Sequence, residues 1–284
     1  MQSQSLWVSL AGLVGLLVGS FLNVVILRLP PRLEWEWWRD CQATWGNEAP
    51  PSPLEPPGLI APGSRCPRCG HALRAWENVP ILSFLWLRGR CSSCQGGISP
   101  RYPLVEFLTA LLSVAVAWRF GPTAPALMVL LLTWALIALS VIDYDTQLLP
   151  DVITLPFLWL GLLASLFHWF TPPASAIIGA MAGYLSLWLV FHGFRLITGK
   201  EGMGFGDFKL LALFGAWLGW QQLLPILLMS SLVGALVGIS LILFLGRDRH
   251  LPIPFGPYLA VAGWVSLMGG SDLQRLYAVW WGFG

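Results

Sequence analysis

Long apolar runs constrain this chain more than any other feature of its sequence. Runs of about 20 apolar residues recur along it, and each is long enough for a helix to cross a hydrocarbon core of about 30 Å. Hydrophobic residues make up 56% of the 284 residues and charged residues only 11%, whereas a soluble domain carries about 25% charged residues. The sequence therefore predicts an all-α polytopic membrane protein with about eight transmembrane helices, near residues 6–29, 104–120, 124–142, 152–170, 174–196, 205–220, 223–245 and 255–269.

The basic residues predict the orientation of these spans. The first residues, Met1 to Ser5, contain no basic side chain, so the first span is expected to be retained, with its N-terminus outside. With that orientation 14 of the 16 Lys and Arg residues fall on the inner side, and only Arg119 and Arg275 fall outside, as the positive-inside rule requires. We expect a first helix at 1–29, a cytosolic loop at 30–103 with irregular structure and one short helix in its first part, and a seven-helix membrane domain at 104–284.

Two cysteine pairs lie in the predicted loop. Cys66 and Cys69 form one Cys-x-x-Cys pair, Cys91 and Cys94 form the second, and 21 residues separate them. Two such turns complete the tetrahedral sulfur shell that Zn²⁺ favours, and four sulfur ligands leave no open position for catalysis. Disulfides or a redox site are the alternatives, but the loop is predicted to lie in the reducing cytosol. The pattern predicts a small loop domain folded around a structural zinc ion, with Cys41 as an unpaired thiol.

A few carboxylates lie close to the predicted membrane face. Asp143 follows the apolar run of the third span, and Asp207 opens the sixth span within Gly204-Phe205-Gly206-Asp207. The topology places both near the cytosolic face although 64 positions separate them. Two poorly solvated carboxylates share a proton, so one can deprotonate a water while the other protonates a leaving amine. A glycine near such an acid lets a substrate backbone approach. Glu106, Asp145 and Asp151 lie near the same face.

Other interpretations of these acids remain open at this stage. Asp151 precedes a span and is also typical of a helix N-cap, and Asp145 is typical of an exposed turn. Paired acids on one membrane face also occur in proton or cation paths of transporters. The four histidines are scattered, which gives serine-protease chemistry little support. No internal repeat is evident, and the net charge of +2 gives no reason to expect a nucleic-acid partner.

Several sequence blocks, in this order, carry a resemblance to a known family. They are Gly19–Val25, Ser64–Gly70, Trp76–Pro80, Gly89–Cys94, Ile98–Glu106, Asp143–Asp151 and Gly204–Lys209. In these blocks the chain resembles the bacterial prepilin peptidases, also called type IV leader peptidases, over nearly its whole length.

The resemblance implies eight spans, a zinc loop and an aspartyl site at the cytosolic face of the inner membrane, with Asp143 and Asp207 as the catalytic pair. It implies type IV prepilins or type II secretion pseudopilins as substrates. It also implies N-methylation of the new N-terminus with S-adenosylmethionine, because all four cysteines are present, and it associates Gly89 with that second activity.

Three rival functions can be stated. A presenilin-like protease also uses a GxGD aspartate but would not need the cysteine loop. An ion-coupled transporter would use the membrane carboxylates, although the two halves show no pair of broken helices of the kind transporters contain. A methyltransferase that has lost proteolysis is disfavoured because both aspartates are present.

Overall fold

The computed structural model describes residues 2–45, 54–200, 203–245 and 253–280. Within these ranges no strand occurs, and the only β pairing consists of two isolated bridges. A helix lies in each predicted span, although α5 ends at Leu166 within the span predicted at 152–170, and this confirms the all-α polytopic class. They are α1 Gln2–Trp45, α2 Leu82–Trp86, α3 Arg101–Phe120, α4 Ala124–Thr146, α5 Asp151–Leu166, α6 Pro173–Thr198, α7 Phe205–Leu218, α8 Leu223–Leu245 and α9 Gly256–Trp280, with 3₁₀ turns at Ala75–Asn78 and Trp220–Gln222.

Not every predicted span is equally long. Five helical segments are long and apolar enough to cross a membrane: α1, α3, α4, α6 and the segment Trp220–Phe244, while α5 is apolar but shorter. The 14 residues of α7 extend about 21 Å at 1.5 Å per residue. Protein surrounds α7, because ten of its residues are buried. The structure therefore shows several membrane helices, and the number eight stays a prediction.

Helix α1 continues well past the predicted end of the first span. The sequence predicts irregular structure with one short helix after residue 29, but α1 itself extends to Trp45 and contains Pro30 and Pro31. Proline normally interrupts a helix because it removes one backbone hydrogen bond and clashes with the preceding turn. Beyond the prolines, side chains one turn apart support the helix: Arg32 Nε lies 3.2 Å from Glu36 Oε1, and the Arg39 guanidinium lies 5.1 Å from the centre of the Trp35 ring.

The chain divides into two compact units at Ala138/Leu139. In the first unit, α1 and α3 pack antiparallel at very short range. A methyl group on Gly15 would lie 2.8 Å from Ala110 Cα, and one on Gly19 would lie 2.7 Å from Glu106 Cα. Small residues allow helix backbones in membranes to approach in this way. The Asn23 amide donates to the Tyr102 carbonyl oxygen at 3.1 Å, which fixes the start of α3 beside α1.

The second unit, residues 139–284, is built around α7. Gly183 of α6 lies against the Leu211 carbonyl, where a methyl group would be 2.8 Å from the oxygen. On another side, the Trp217 indole N–H donates to the Phe157 carbonyl of α5 at 2.8 Å. These contacts bury the middle and the end of α7 among its neighbours.

Some sequence-based expectations cannot be compared with the structure. Arg247, Arg249, His250 and Gly202 lie outside the described residues, as does the side chain of Arg275. The division into 1–29, 30–103 and 104–284 stays a prediction.

Candidate functional sites

The four paired cysteines meet in one cluster in the first unit. The Sγ atoms of Cys66, Cys69, Cys91 and Cys94 all lie within 4.8 Å of one another. Cys66 Sγ is 3.8 Å from Cys94 Sγ, and Cys69 Sγ is 4.0 Å from Cys91 Sγ. A tetrahedral zinc ion with Zn–S bonds of about 2.3 Å has sulfur–sulfur edges of about 3.8 Å. All five cysteines of the chain are described and free of disulfides, so the donor set and its spacing fit a metal ion.

The two cysteine pairs lie in two separate backbone turns of the same kind. Cys66 N–H donates to the His71 carbonyl, and Cys91 N–H donates to the Gly96 carbonyl, both at 2.9 Å. A bridge pairs Arg65 with Ala72 in the first turn, and a second bridge pairs Arg90 with Gly97. The expectation that the chain has no internal repeat is therefore wrong at this scale: residues 65–72 and 90–97 form two copies of one knuckle. The shared Arg-Cys-x-x-Cys is the sequence signal, but eight residues are too few to stand out.

A buried glutamate connects the two knuckles. Glu77 is 6% exposed, and its Oε2 accepts the Arg74 N–H at 2.7 Å. The same oxygen lies 3.3 Å from His71 Nε2, which in turn lies 3.5 Å from Ser92 Oγ. The Arg74 N–H, with Ser92 and His71, lowers the pKa of Glu77 from its ordinary 4.5 to about 2. Ionised Glu77 therefore stabilises the folded loop above about pH 4.5, and this contribution is lost as the pH falls toward 2.

Gly89 has a structural reason to be glycine. Its φ is +69°, in the left-handed region that side chains disfavour, and an added methyl group would lie 3.0 Å from the Phe84 ring. Its N–H donates to the Phe84 carbonyl at 2.8 Å, and its carbonyl accepts the Ile98 N–H at 2.7 Å. Both backbone polar groups are thus engaged within the loop.

In the second unit, Asp143 lies near the end of α4 and is 5% exposed. Its Oδ2 accepts the backbone N–H of Gly256, the first residue of α9, at 3.0 Å. A methyl group on Gly256 would lie only 2.7 Å from the same oxygen. Position 256 must therefore be glycine for the carboxylate to reach this N–H group. Sequence reasoning missed Gly256, and no local signal marks it, because it follows Asp143 by 113 residues.

Asp207 lies in the first turn of α7 and is 7% exposed. Its carboxylate interacts electrostatically with Asp143, and its Oδ1 is buried with no hydrogen-bond partner among the described residues. Leu149 packs against the glycines next to both acids: a methyl group would lie 2.7 Å from Leu149 Cβ if placed on Gly206, and 3.3 Å from Leu149 Cδ1 if placed on Gly256. A side chain at position 206 would therefore clash with Leu149. A methyl group on Gly204, by contrast, would lie 3.9 Å from Asp207 Oδ2, so there is space next to this acid.

The remaining acids occupy other environments. Asp145 is exposed. Asp151 is the first residue of α5 and makes no side-chain cap, contrary to the N-cap interpretation; both of its oxygens lie 2.7 Å from Lys209 Nζ. Glu106 accepts the Ile81 N–H at 2.8 Å in the first unit. Of the acids named from the sequence, the structure brings Asp143 and Asp207 together.

Comparisons with known proteins identify the family of this chain. Residues 13–120 match the Bacterial Peptidase A24 N-terminal domain, and residues 130–239 match the Type IV leader peptidase family. The chain is 56% identical over 273 residues to the prepilin leader peptidase/N-methyltransferase of Aeromonas salmonicida (strain A449), covering 96% of this chain and 94% of the relative.

Two further relatives carry the same name. The identity is 55% over 271 residues for the protein of Pseudomonas aeruginosa, covering 95% of this chain and 93% of the relative. It is 51% over 267 residues for that of Xanthomonas campestris, covering 94% and 92%. No solved structure matches the chain. The resemblance drawn from the sequence blocks is confirmed: the chain belongs to the type IV leader peptidase family.

Proposed function

We propose that this protein is an aspartyl endopeptidase of the bacterial inner membrane that removes the leader peptide of type IV prepilins or type II secretion pseudopilins. It acts at the cytosolic face and then N-methylates the new N-terminal residue. Family membership and the names of its relatives support the two activities. The predicted orientation, with the N-terminus outside, supports the cytosolic side, because the basic leaders of such substrates lie there.

The observation that carries the peptidase proposal is the pairing of two buried carboxylates at the ends of apolar helices. Gly256 N–H holds one oxygen of Asp143, and Asp207 presents a buried oxygen without a partner among the described residues. A pair of carboxylates that shares one proton can hydrolyse a peptide with water alone. One carboxylate takes a proton from the attacking water, and the other gives its proton to the leaving amine nitrogen.

The cysteine cluster has a different role in this proposal. Cys66, Cys69, Cys91 and Cys94 would hold a Zn²⁺ ion, which supplies folding energy to the loop. With four sulfur ligands the ion has no open coordination position, so its role is structural. The Glu77 network then joins the two knuckles on the protein side, through His71 and Ser92.

S-adenosylmethionine is the proposed methyl donor, since the second activity in the relatives' name requires one. The association of Gly89 with methylation stays a prediction, and the structure adds a simpler role for this glycine, which is to let the loop turn next to Phe84.

The test uses detergent-purified protein, a prepilin and S-adenosylmethionine, with product masses measured over time. We expect loss of the leader, followed by the addition of one methyl group to the mature pilin. Intact substrate under these conditions, with the purified protein folded, would contradict the proposal. The same reaction without S-adenosylmethionine is the control and should give the unmethylated mature form.

A further inference from the structure

The short helix α2 presents an apolar face that no described residue covers. Leu82 and Leu85 are each 64% exposed, and Trp86 is 83% exposed. Residues spaced by three and four lie on one side of a helix, so these three form a single surface, the α2 face. Phe84 points elsewhere, toward Gly89. A cluster of exposed apolar side chains of this kind marks a contact surface.

A buried hydrogen bond fixes the depth of this surface. The Ile81 N–H, immediately before α2, donates to Glu106 Oε2 at 2.8 Å. Glu106 is the sixth residue of α3, which is an apolar helix of 20 residues with membrane-spanning length. At 1.5 Å per residue it lies about 8 Å from the start of that helix. Helix α2 is therefore held at the level of the first two turns of a membrane helix, where the headgroup region meets the hydrocarbon.

The basic residues that follow α2 also favour a position at the membrane interface. Arg88 and Arg90 come directly after the α2 face and are exposed. Tryptophan is enriched at membrane–water interfaces, and basic side chains next to a membrane attract anionic lipid headgroups. The apolar side chains of the α2 face, its depth and the adjacent positive charge all favour lipid as the partner of this surface.

We propose that the α2 face lies in the membrane interface and buries Leu82, Leu85 and Trp86 among the lipids of the bilayer that α1 and α3 cross, with Arg88 and Arg90 at anionic headgroups. The loop would then be attached to the membrane through a surface that is independent of the cysteine cluster. This inference does not depend on the proposed peptidase activity. The competing occupant is the apolar helix of a substrate.

Photocrosslinking of the full-length protein tests the proposal. Benzoylphenylalanine replaces Trp86 in protein reconstituted into nanodiscs of phosphatidylethanolamine and phosphatidylglycerol, and adducts are identified by mass. The matched control is Trp37, an exposed aromatic residue of α1. It lies 14 residues beyond Asn23, which marks the level of the start of α3, and so about 21 Å farther along the axis. We expect severalfold more lipid adduct at position 86 than at position 37.

Equal lipid yields at the two positions would overturn the proposal. Crosslinking of position 86 to an added prepilin, in place of lipid, would overturn it in favour of a substrate surface. A second measurement uses the unmodified protein, so that a disturbed variant cannot hide the answer. Hydrogen exchange of the backbone amides of residues 82–90 should be slower in phosphatidylglycerol nanodiscs than in phosphatidylcholine nanodiscs, and identical rates would also contradict it.

Discussion

The cysteine cluster takes all its sulfur atoms from residues 66–94 of one loop, whereas the carboxylate site combines side chains and backbone from α4, α7 and α9. The cluster consists of two short knuckles joined by the hydrogen bonds of Glu77, His71 and Ser92. The carboxylate site is enclosed by apolar helices and depends on glycines at which no side chain fits. The first is a local structure that a metal ion can complete. The second exists only when helices distant in sequence are packed together.

The strongest way to test the difference is to remove one acid. Asp143→Asn and Asp207→Asn should each lower leader cleavage by about 10²–10⁴-fold or more, because proton transfer by a positioned carboxylate contributes that much. Both variants should remain inserted and retain the zinc ion. Cleavage is measured by product mass under single-turnover conditions. Asp145→Asn is the matched control, because Asp145 is an exposed acid near the same helix end, and near-normal cleavage by either of the first two variants would contradict the assignment.

A smaller but more specific effect is expected at Gly256. In Gly256→Ala the added methyl group lies 2.7 Å from Asp143 Oδ2 and must displace that carboxylate. A shift of about 1 Å at a catalytic group costs about 10²-fold in rate, so cleavage should fall by about that factor. Gly193→Ala is the control, since no atom of the described residues lies within 4 Å of a methyl group there. If both variants cleave equally well, the N–H group of Gly256 does not position Asp143.

In the loop, loss of one sulfur ligand should act on folding first. Cys66→Ser or Cys91→Ser should lose zinc, measured by atomic spectroscopy, and the loop should lose hydrogen-exchange protection. Structural zinc contributes apparent binding free energies of about 10–16 kcal/mol in zinc-finger peptides. We therefore expect the loss of one ligand to destabilise the folded loop. Cleavage should fall moderately, through geometry, while Asp143 and Asp207 remain in place. Cys41→Ser, at the remaining cysteine, should keep a full complement of zinc; absence of zinc in the wild-type protein would refute the metal interpretation.

Gly89 allows methylation to be compared with cleavage. Gly89→Ala places a side chain at a φ of +69°, which costs about 1–2 kcal/mol, and should therefore disturb the loop next to Phe84. We expect reduced methyl transfer with much of the cleavage retained, measured as methylated and unmethylated product from the same reaction. Asp207→Asn should still methylate a substrate that is supplied already cleaved. Parallel loss of both activities in each variant, with zinc retained, would argue against separate sites.

The smallest effect is expected for the glutamate that joins the knuckles. Glu77→Gln keeps the shape of the side chain but removes the charge that the Arg74 N–H stabilises. At pH 7, where the wild-type carboxylate is ionised, a chelator should remove zinc faster from the variant. Glu55→Gln, an exposed acid of the same loop, is the control. Equal release rates for the two variants would show that the hydrogen bonds to Glu77 do not support the cluster.

By itself the sequence determined the membrane class and the helical segments, and it named four cysteines as candidate metal ligands and two aspartates as candidate catalytic residues. Apolar runs report directly on a hydrocarbon environment, and Cys-x-x-Cys places two sulfur atoms in one turn through local backbone geometry. It also allowed Asp143 and Asp207 to be placed on one membrane face. These features depend on residues close together in the sequence, or on the unequal distribution of Lys and Arg between the two sides of the membrane. They can therefore be inferred without coordinates.

Only the tertiary structure decided which groups surround those candidates. Gly256 contacts Asp143 across 113 residues, Lys209 pairs with Asp151 across 58, and Glu106 holds Ile81 at the start of α2. Continuation of α1 past Pro30 to Trp45 was also beyond sequence reasoning, because a proline pair is a strong local signal for an interruption. Such contacts depend on how closely helices pack, and close packing is set by the absence of side-chain atoms at glycines such as Gly19, Gly183 and Gly206.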